Sequence, residues 1–566
     1  MKLRVLCSVA IAASAFAASA SAQTADSINF GTTYQTIRGY GVATAWQPLM
    51  SSTVVDSLWG MGSGQMGLTM VRQRIDPSST TGGSNWSTEL QNSLEVLAVA
   101  PNTTVFATPW TPPAVWKSND STVEGTLTTA NYANYANYLN AYIAYMKAGG
   151  VNLYAISMQN EPDANVTYES CVWTGATMEA WVAQEGGTIN TKLIMPESES
   201  FIESMSDPTL ANSTAASHVS IIGGHLYGAT PYYYTNAKNA GKDVWMTEHY
   251  IQSSGATPAI GDAINVAKEI HNSMAVGQYN AYVWWWANAD IQQGLLNSSN
   301  TPGYNGFALA QFSKFVRPGY VMTGANNSPV SGVYVTSYKG SSNYVIVAIN
   351  SNSSASSIDF ELSGATLTSM TPYQTNSSGG LIQEGAVGVS SNSFTYTLPA
   401  QSITTFVGTG TGSSGGPIDI DSGGAASGSW VADADFSGGT ALTFTNAVST
   451  SLLSGTIPPQ TVLQSQRYGS GSSFTYTIPG YTSGSSHTVT LYFVENYVTG
   501  TGQREFNVLI NGTQVLTNYD VYAAAGSQFN AVEKSFTTTA NSSGQIVIEF
   551  SPGAIQNPMV SGIAIQ

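Results

Sequence analysis

The chain has 566 residues and a formal net charge of -16, with only 9% charged residues against 11% aromatic ones. Because it offers few cations to neutralise phosphate groups, we expect no nucleic-acid partner and no association with a membrane. Aromatic rings combined with abundant Gly, Ser, Thr and Asn residues favour a neutral, hydroxyl-rich ligand instead.

The first residues predict export. A basic start at Lys2 and Arg4 precedes an apolar run, which closes with the small-x-small sequence Ala-Ser-Ala ending at Ala22. The run is shorter than the about 20 residues that span a bilayer. We therefore predict a signal peptide over 1–22, cleaved at its end, and a secreted, extracellular protein. The remaining cysteine, Cys171, is predicted to be a small buried residue.

Eight short apolar or β-branched runs alternate with helix-like stretches over 37–317. The predicted strands are 37–42, 68–74, 104–108, 152–159, 192–196, 219–224, 243–247 and 281–286, and the predicted helices between them include 130–148 and 263–275. This alternation is typical of a (β/α)8 TIM barrel of the α/β class. A doubly wound sheet is the main alternative, but no Gly-rich phosphate-binding turn follows these strands.

One predicted helix carries a stripe of tyrosines. They are three or four residues apart, and the stripe comprises Tyr132, Tyr135, Tyr138, Tyr142 and Tyr145. Such a stripe is compatible with sugar stacking, but at helical spacing we assign it to the face that packs against the barrel.

The pattern changes to β-structure after the barrel. We expect 23–36 and 318–407 to form a side β-sandwich fused to it. A Gly/Ser tract over 408–417 is then predicted to be a flexible linker. Beyond it, 418–566 is β-rich throughout and predicts a separate all-β sandwich.

Two glutamates end predicted barrel strands. Glu161 ends the fourth strand within Gln-Asn-Glu-Pro, and Glu248 ends the seventh. Barrel enzymes place catalytic groups at these strand ends, and a retaining glycosidase needs two carboxyl groups about 5–5.5 Å apart. We assign Glu161 as acid/base and Glu248 as nucleophile, with Asn160 placed to bind a sugar 2-hydroxyl and with burial raising the pKa of the acid.

Other polar residues near the predicted mouth are open to two interpretations. Arg72, ending the second strand, is suited to orient the nucleophile, the alternative being a structural ion pair. His225 and His249 show no metal-cage spacing, so we expect them to hydrogen-bond to carboxylates, and we expect no metal and no organic cofactor. Glu197 also lies at the barrel top, but two better-placed glutamates already fill the catalytic roles.

Several motifs together resemble glycoside hydrolase family 30, in particular its bacterial xylanase subfamily, over nearly all of 33–407. They are Ile-Arg-Gly-Tyr-Gly at 37–41, Thr-Pro-Trp-Thr-Pro-Pro at 108–113, Ser-Met-Gln-Asn-Glu-Pro-Asp at 157–163, His-Leu-Tyr-Gly at 225–228, Asp-Val-Trp-Met-Thr-Glu at 243–248 and Phe-Ser-Lys-Phe-Val-Arg-Pro-Gly-Tyr at 312–320. The resemblance implies the barrel with its side sandwich, retention of configuration, and xylan as the polysaccharide substrate. It also implies a sugar-lined cleft that includes Trp110, Asn160, Tyr227, Tyr250 and Trp285.

The sequence departs from this family where acidic branches are recognised. Members that require a glucuronic acid branch resemble Trp-Trp-Tyr-Ile-Arg-Arg after the eighth strand, and the last Arg grips the branch. Here the corresponding run ends at Ala289, which removes the bidentate partner for a carboxylate. Tyr250 and Ser253, which match other residues around the branch, remain, and Ala164 replaces an expected aromatic whereas Tyr168 is kept. We therefore expect xylan hydrolysis without a strict need for glucuronic acid.

The C-terminal part resembles malectin-like carbohydrate-binding domains. The matching stretches are Ala-Asp at 432–433, Gln-Arg-Tyr-Gly at 466–469, Thr-Leu-Tyr-Phe-Val-Glu at 490–495, Arg-Glu-Phe-Asn-Val at 504–508, and Asn-Gly at 511–512. Tyr468 and Tyr497 fall where the family stacks aromatics on sugar, while Val498 and Gln556 replace a second aromatic and an acidic contact. A structural or spacer role is the alternative to sugar binding.

These inferences predict a secreted, monomeric, retaining endo-β-1,4-xylanase with an accessory binding domain. Within the enzyme class, the alternatives are a glucuronoxylan-dependent endoxylanase, an exo-acting xylobiose-releasing enzyme and a hydrolase of another β-glucan. The alternative from another class is a non-catalytic polysaccharide-binding protein that keeps the barrel as a scaffold.

Overall fold

The computed structural model describes residues 24–78, 84–287, 292–411, 418–428, 430–478, 481, 484–541 and 545–566. The predicted signal peptide, Ala289 and most of the predicted linker lie outside these residues. Within the described ranges, no helix is both long enough and apolar enough to cross a membrane.

A closed barrel of eight parallel strands forms the centre of the N-terminal part. After strand β1 (Thr24–Thr36), the barrel strands are β2 (Gly39–Ala43), β3 (Met70–Ile75), β4 (Thr104–Pro109), β5 (Ala155–Ser157), β6 (Lys192–Ser198), β7 (Val219–His225), β8 (Asp243–His249) and β9 (Ala281–Trp284). They follow one another around the barrel in chain order, and β9 pairs with β2 to close it. The predicted (β/α)8 barrel is confirmed, and each predicted strand run overlaps one barrel strand.

The barrel interior is filled by side chains and is not a pore. Its buried apolar cluster comprises Met70, Phe106, Ala155, Ile194, Ile221, Trp245, Ala281 and Val283. Every second residue of a strand faces this interior, and the residues between face the surrounding helices, so both faces are apolar. This explains why the strands appear in the sequence as nearly continuous apolar runs.

Helices surround the barrel. They are α1 (Ser52–Trp59), α2 (Ser84–Val99), α3 (Tyr132–Ala148), α4 (Gly175–Glu185), α5 (Asp207–Ala211), α6 (Ser213–His218), α7 (Thr235–Asn239), α8 (Ile260–Ala275) and α9 (Tyr304–Ser313). Short 3₁₀ turns lie at Ala114–Trp116, Thr129–Asn131, Gly186–Thr188 and Glu203–Met205. The tyrosine stripe of α3 packs into the barrel core, and Tyr135 donates a 2.6 Å hydrogen bond to the carbonyl of Met158. Its assignment to the core is confirmed.

A second sheet curls beside the barrel. Its strands are β1, β10 (Val321–Ala325), β11 (Val333–Lys339), β12 (Asn343–Asn350), β13 (Ser356–Ser363), β14 (Thr366–Leu367), β15 (Ser369–Asn376), β16 (Gly379–Gln383), β17 (Val387–Gly388), β18 (Ser393–Leu398) and β19 (Ser402–Thr411). β1 lies between β10 and β13, so the start of the described chain completes this sheet, as expected. β19 pairs with β12 and β14 up to Thr411, and strand pairing therefore extends four residues into the Gly/Ser tract where a linker was predicted from 408.

The C-terminal part is a separate all-β unit, as predicted. Its strands are β20 (Ile418–Asp421), β21 (Phe436–Ser437), β22 (Thr440–Thr443), β23 (Ser465–Tyr468), β24 (Phe474–Ile478), β25 (Ser486–Val494), β26 (Glu505–Ile510), β27 (Thr513–Tyr519), β28 (Ala531–Thr539), β29 (Ile546–Ile555), β30 (Met559–Val560) and β31 (Gly562–Ile565), with short helices α10 (Gln460–Leu463) and α11 (Val521–Ala525). The sheets β20-β31-β25-β28 and β21-β24-β29-β26-β27 share one apolar core.

Candidate active site

The carboxyl ends of the barrel strands bring two glutamates together. Glu161 follows β5, and Glu248 lies near the end of β8. A carboxylate oxygen of Glu161, a ring nitrogen of His225 and a carboxylate oxygen of Glu248 all lie within 4.8 Å of one another, and all three residues are buried. Glu161 has φ +43°, a left-handed backbone conformation that a glutamate adopts only where its surroundings enforce it.

Glu248 is held by a cation and a phenol. Arg72 Nη1 lies 2.5 Å from Glu248 Oε2, and the Tyr227 hydroxyl donates to Oε1 at 2.9 Å. Both contacts favour the ionised carboxylate, but burial opposes it and, together with the neighbouring charge of Glu161, raises the pKa of Glu248. The other terminal guanidinium nitrogen, Arg72 Nη2, donates to Asn160 Oδ1 at 2.6 Å. This contact orients the Asn160 side chain through its oxygen and does not use its amide N–H groups.

Glu161 has a different set of partners. His225 Nδ1 lies 3.0 Å from Glu161 Oε1, and the Tyr168 hydroxyl donates to Oε2 at 2.8 Å. Burial opposes ionisation of Glu161, but these hydrogen bonds outweigh burial and lower the pKa of its carboxyl. Burial likewise opposes the imidazolium form of His225, but the charge of Glu248 and its contacts with Glu161 and Glu197 raise its pKa to about 9.

The expected raised pKa of Glu161 is therefore wrong for its own carboxyl, because His225 stabilises the ionised form. Glu161 and His225 are joined by this 3.0 Å contact, and we call them the Glu161–His225 unit. Groups coupled this closely release protons as a unit. The sequence predicts that His225 hydrogen-bonds to a carboxylate, but not that its partner is Glu161, which lies 64 residues earlier in the chain.

A cleft of about 470 Å³ opens above these carboxyls. It is lined by Trp46, Trp110, Glu161, Tyr168, Glu199, Tyr227, Glu248, Tyr250 and Trp285. The Trp46 ring centroid lies 5.0 Å from that of Trp110 and 6.2 Å from that of Trp285, so three indoles meet at one wall. The sequence analysis did not predict Trp46 and Glu199 as cleft residues. Both follow barrel strands, Trp46 after β2 and Glu199 after β6, so their position after a strand is the signal that could have identified them.

Five of the predicted substrate-binding residues line the cleft, and three do not. Trp110, Tyr168, Tyr227, Tyr250 and Trp285 line the cleft. Arg72 and Asn160 lie buried beneath it.

Of the predicted branch-site residues, Tyr250 lines the cleft, Ser253 does not, and Ala289 lies outside the described residues. Ser253 is buried away from the cleft lining and donates to the carbonyl of Gln292 at 2.7 Å, so its hydroxyl is engaged by the protein. His249 is likewise engaged, with Nδ1 2.8 Å from Glu269 Oε1, so the expected hydrogen bonding of both histidines to carboxylates is confirmed.

The cluster is poorly suited to a metal ion. Glu161, His225 and Glu248 are the only described group of three or more such side chains with ligand atoms close enough to hold one. Arg72, however, forms an ion pair with Glu248 at 2.5 Å and would repel a second cation. Their oxygens also already accept hydrogen bonds from Tyr168 and Tyr227. The donor set fits carboxylate acid–base chemistry better than metal binding.

The predicted sugar contacts of the C-terminal part differ in exposure. Tyr497 is 71% exposed, whereas Tyr468 is half-buried against the core. Glu495 holds the loop of Tyr497, because its Oε1 accepts from the backbone N–H groups of Tyr497 and Val498 at 2.9 and 3.0 Å, and Arg504 Nε donates to Oε2 at 2.8 Å.

The barrel and side sheet are similar to those of known xylanases. The sequence is 36% identical over 379 residues to the glucuronoxylanase XynC of Bacillus subtilis (strain 168), covering 65% of this chain and 87% of that protein. The structure is similar to the glycoside hydrolase family 30 subfamily 8 xylanase Xyn30A from Clostridium acetobutylicum, with a TM-score of 0.64 and 40% identity over 68% of this chain and 99% of that one. It is also similar to a GH30 endoxylanase from Clostridium papyrosolvens C71, with a TM-score of 0.63 and 39% identity, covering 68% of this chain and 100% of that one. Residues 418–563 match the family model of the malectin domain, which confirms the predicted malectin-like fold.

Proposed function

The chain belongs to glycoside hydrolase family 30, and from this premise we propose that it is a secreted, retaining endo-β-1,4-xylanase. The observation that carries the proposal is the pair of buried carboxyls whose nearest oxygens lie within 4.8 Å of each other, with a ring nitrogen of His225 within the same distance of both. This spacing supports direct attack by one carboxylate, since an inverting enzyme needs about 6.5–9.5 Å to fit a water molecule.

The different partners of the two carboxyls support different roles. Arg72 and Tyr227 stabilise the carboxylate form of Glu248 against burial, and Glu248 attacks the anomeric carbon as the glycosidic C–O bond breaks. The leaving oxygen takes its proton from Glu161, which His225 supports. Water then attacks the glycosyl–enzyme bond and gives its proton back to Glu161, which releases Glu248. Two displacements at the same carbon retain its configuration.

The cleft walls support a neutral polysaccharide substrate. Trp46, Trp110 and Trp285 present indole surfaces suited to the apolar faces of sugar rings. Asn160 offers its amide N–H groups for a sugar 2-hydroxyl. The described lining of the cleft includes no lysine or arginine. The nearby Arg72 and Arg74 are paired with Glu248 and Glu169, and their guanidinium groups lie over the rings of Trp110 and Trp46.

We further propose that glucuronic acid branches are not strictly required. This rests on the sequence, since Ala289 stands where branch-dependent relatives have an arginine and lies outside the described residues. The relatives support both possibilities, because one carries the name glucuronoxylanase and two are described as xylanase and endoxylanase. We also propose that the protein is secreted and that it acts as a monomer.

A digest of several polysaccharides tests these statements together. Purified protein is incubated with linear xylo-oligosaccharides, glucuronoxylan, enzymatically deglucuronidated xylan and a mixed-linkage β-glucan, and the products are identified by mass spectrometry. We expect a range of xylo-oligosaccharides from both linear and decorated xylan, with the β-anomer formed first by NMR. Xylobiose as the sole product would favour exo action, and cleavage only beside branches would favour a glucuronoxylanase.

The variant Ala289→Arg provides the matched control for branch recognition. A guanidinium at this position is expected to shift cleavage towards sites beside glucuronosyl branches while leaving linear oligosaccharides as substrates. An unchanged product pattern in this variant would remove the sequence argument for branch independence.

A further inference from the structure

A third buried carboxyl lies beneath the two proposed catalytic ones. Glu197, near the end of β6, is completely buried. Its Oε1 lies 3.3 Å from Arg72 Nε and 3.9 Å from His225 Nε2, and Thr108 donates to its Oε2 at 2.9 Å. One carboxylate therefore contacts both the cation that binds Glu248 and the ring that binds Glu161.

The backbone of Glu197 also supports the site. Its carbonyl accepts the N–H of Glu161 at 3.0 Å. Glu197 has φ +54° and Glu161 has φ +43°, so two non-glycine residues joined by this hydrogen bond both adopt the left-handed region. Such strain persists only where the surrounding structure enforces it, and it is concentrated at functional sites.

The charges of the cluster explain what a third carboxylate does there. Arg72 and His225 supply two positive charges, and Glu197 and Glu248 balance them. When Glu161 is ionised as well, three carboxylates share two cations, so the cluster carries one unbalanced negative charge, which favours keeping a proton on His225. The remaining neighbours are the phenols Tyr168 and Tyr227, which donate to the carboxyls, and Glu199 at the cleft wall, which adds negative charge.

We propose that Glu197 is a positioning residue of the reaction, holding Arg72 and His225 in place and keeping the reactive proton on the Glu161–His225 unit. The inference rests on the proposed roles of Glu161 and Glu248. It agrees with the ionisation of Glu197, whose burial is outweighed by Arg72 and then by His225, lowering its pKa to about 2. Glu197 touches no substrate, since it does not line the cleft.

The test compares pH profiles of kcat/KM on a soluble linear xylo-oligosaccharide for wild type, Glu197→Gln and Glu197→Asp. Glu197→Gln removes the negative charge at nearly constant shape, so the Glu161–His225 unit loses its proton more easily. The basic limb of the kcat/KM profile is therefore expected to move to lower pH, by about 1 on the pH scale or more. Glu197→Asp keeps the charge and is expected to restore most of the wild-type limb. A uniform loss of activity at every pH, with the limb unmoved, would show a merely structural role and overturn the proposal.

Glu89→Gln is the matched control. Glu89 is also buried, but its carboxylate accepts from Thr44 at 2.8 Å and from the Arg74 N–H at 3.2 Å, and these contacts include neither the Arg72 guanidinium nor the His225 ring. We expect its basic limb to stay at the wild-type position. An equal shift in this variant would overturn the proposal, because any buried glutamate would then have the same effect.

A second measurement needs no catalytic activity. NMR titration of histidine side chains in the full-length protein is expected to show His225 protonated up to about pH 9 in the wild type, and losing its proton at lower pH in Glu197→Gln. The same His225 titration in both proteins would show that Glu197 does not act on the ring and would overturn the proposal. This readout stands even if the protein proves inactive on xylan, so failure of the inference and failure of the proposed function are distinguishable.

Discussion

The barrel mouth and the C-terminal domain each contain a buried arginine–glutamate pair, and the pairs differ in what else the carboxylate contacts. Arg72 lies 2.5 Å from Glu248, and Arg504 lies 2.8 Å from Glu495. Glu495 also accepts two backbone N–H groups of the Tyr497 loop, so the fold uses both of its oxygens. Glu248 receives side-chain donors only and lines the cleft. The same kind of ion pair thus stabilises a loop in one domain and leaves a carboxylate facing the cleft in the other.

The largest expected difference is between Glu248→Gln and Glu495→Gln. Loss of the proposed nucleophile should reduce kcat on soluble xylan by roughly 10⁴-fold or more. Glu495→Gln should leave kcat on the same substrate unchanged, because Glu495 lies outside the barrel. Steady-state kinetics of both variants measure the difference, and near-wild-type turnover by Glu248→Gln would remove the nucleophile assignment.

The next effect separates the two proposed catalytic carboxyls from each other. Glu161→Ala should slow xylan hydrolysis by about 10²- to 10⁴-fold, the usual contribution of general acid catalysis. Formation of the glycosyl–enzyme from an aryl β-xylobioside with an acidic phenol should be affected much less, since that leaving group needs no proton. A pre-steady-state burst of phenol measures this step. Equal losses on both substrates would contradict the acid role.

A smaller effect, on stability, tests the structural pair. Arg504→Met leaves Glu495 buried without its cation, which should destabilise the C-terminal domain by about 3–5 kcal/mol. Hydrogen exchange of the full chain should show faster exchange in 486–510, while barrel peptides keep their wild-type rates. Unchanged exchange there would mean that the backbone donors alone hold Glu495.

The fold was predictable from the sequence because its strands are buried on both faces. An apolar run such as 219–224 predicts the position of its strand directly, and the observed β7, Val219–His225, differs from that run by one residue. β5 is shorter than predicted, Ala155–Ser157 instead of 152–159, although the flanking N–H groups of Tyr154 and Met158 still donate to the carbonyls of Val105 and Ile194 on the neighbouring strands. The first and last residues of a barrel strand depend on its pairing with the neighbouring strands, and the local sequence does not show that pairing.

The candidate site was predictable only in part, for a related reason. Glu161 and Glu248 stand in short motifs next to strands, and that local signal is strong. The contacts that set their protonation come from His225 and Glu197, on other strands, and depend on distances of 3.0 to 3.9 Å that only the closed barrel fixes. Glu197 has a local position much like that of Glu161, and burial beneath the cleft is what distinguishes them.

The smallest expected effect concerns the exposed side of the C-terminal domain. Tyr497 is 71% exposed, so its removal costs little stability, and a stacking ring contributes about 0.5–1.5 kcal/mol, or roughly two- to twelvefold in affinity. Tyr497→Ala should therefore weaken binding of the full chain to insoluble xylan by this factor, with kcat on soluble xylan unchanged. Ile555→Ala is the matched control, because Ile555 is 47% exposed in the same domain but carries no ring. Equal binding by all three proteins would make this domain a spacer, and its buried Glu495 pair would then stabilise a loop without a ligand.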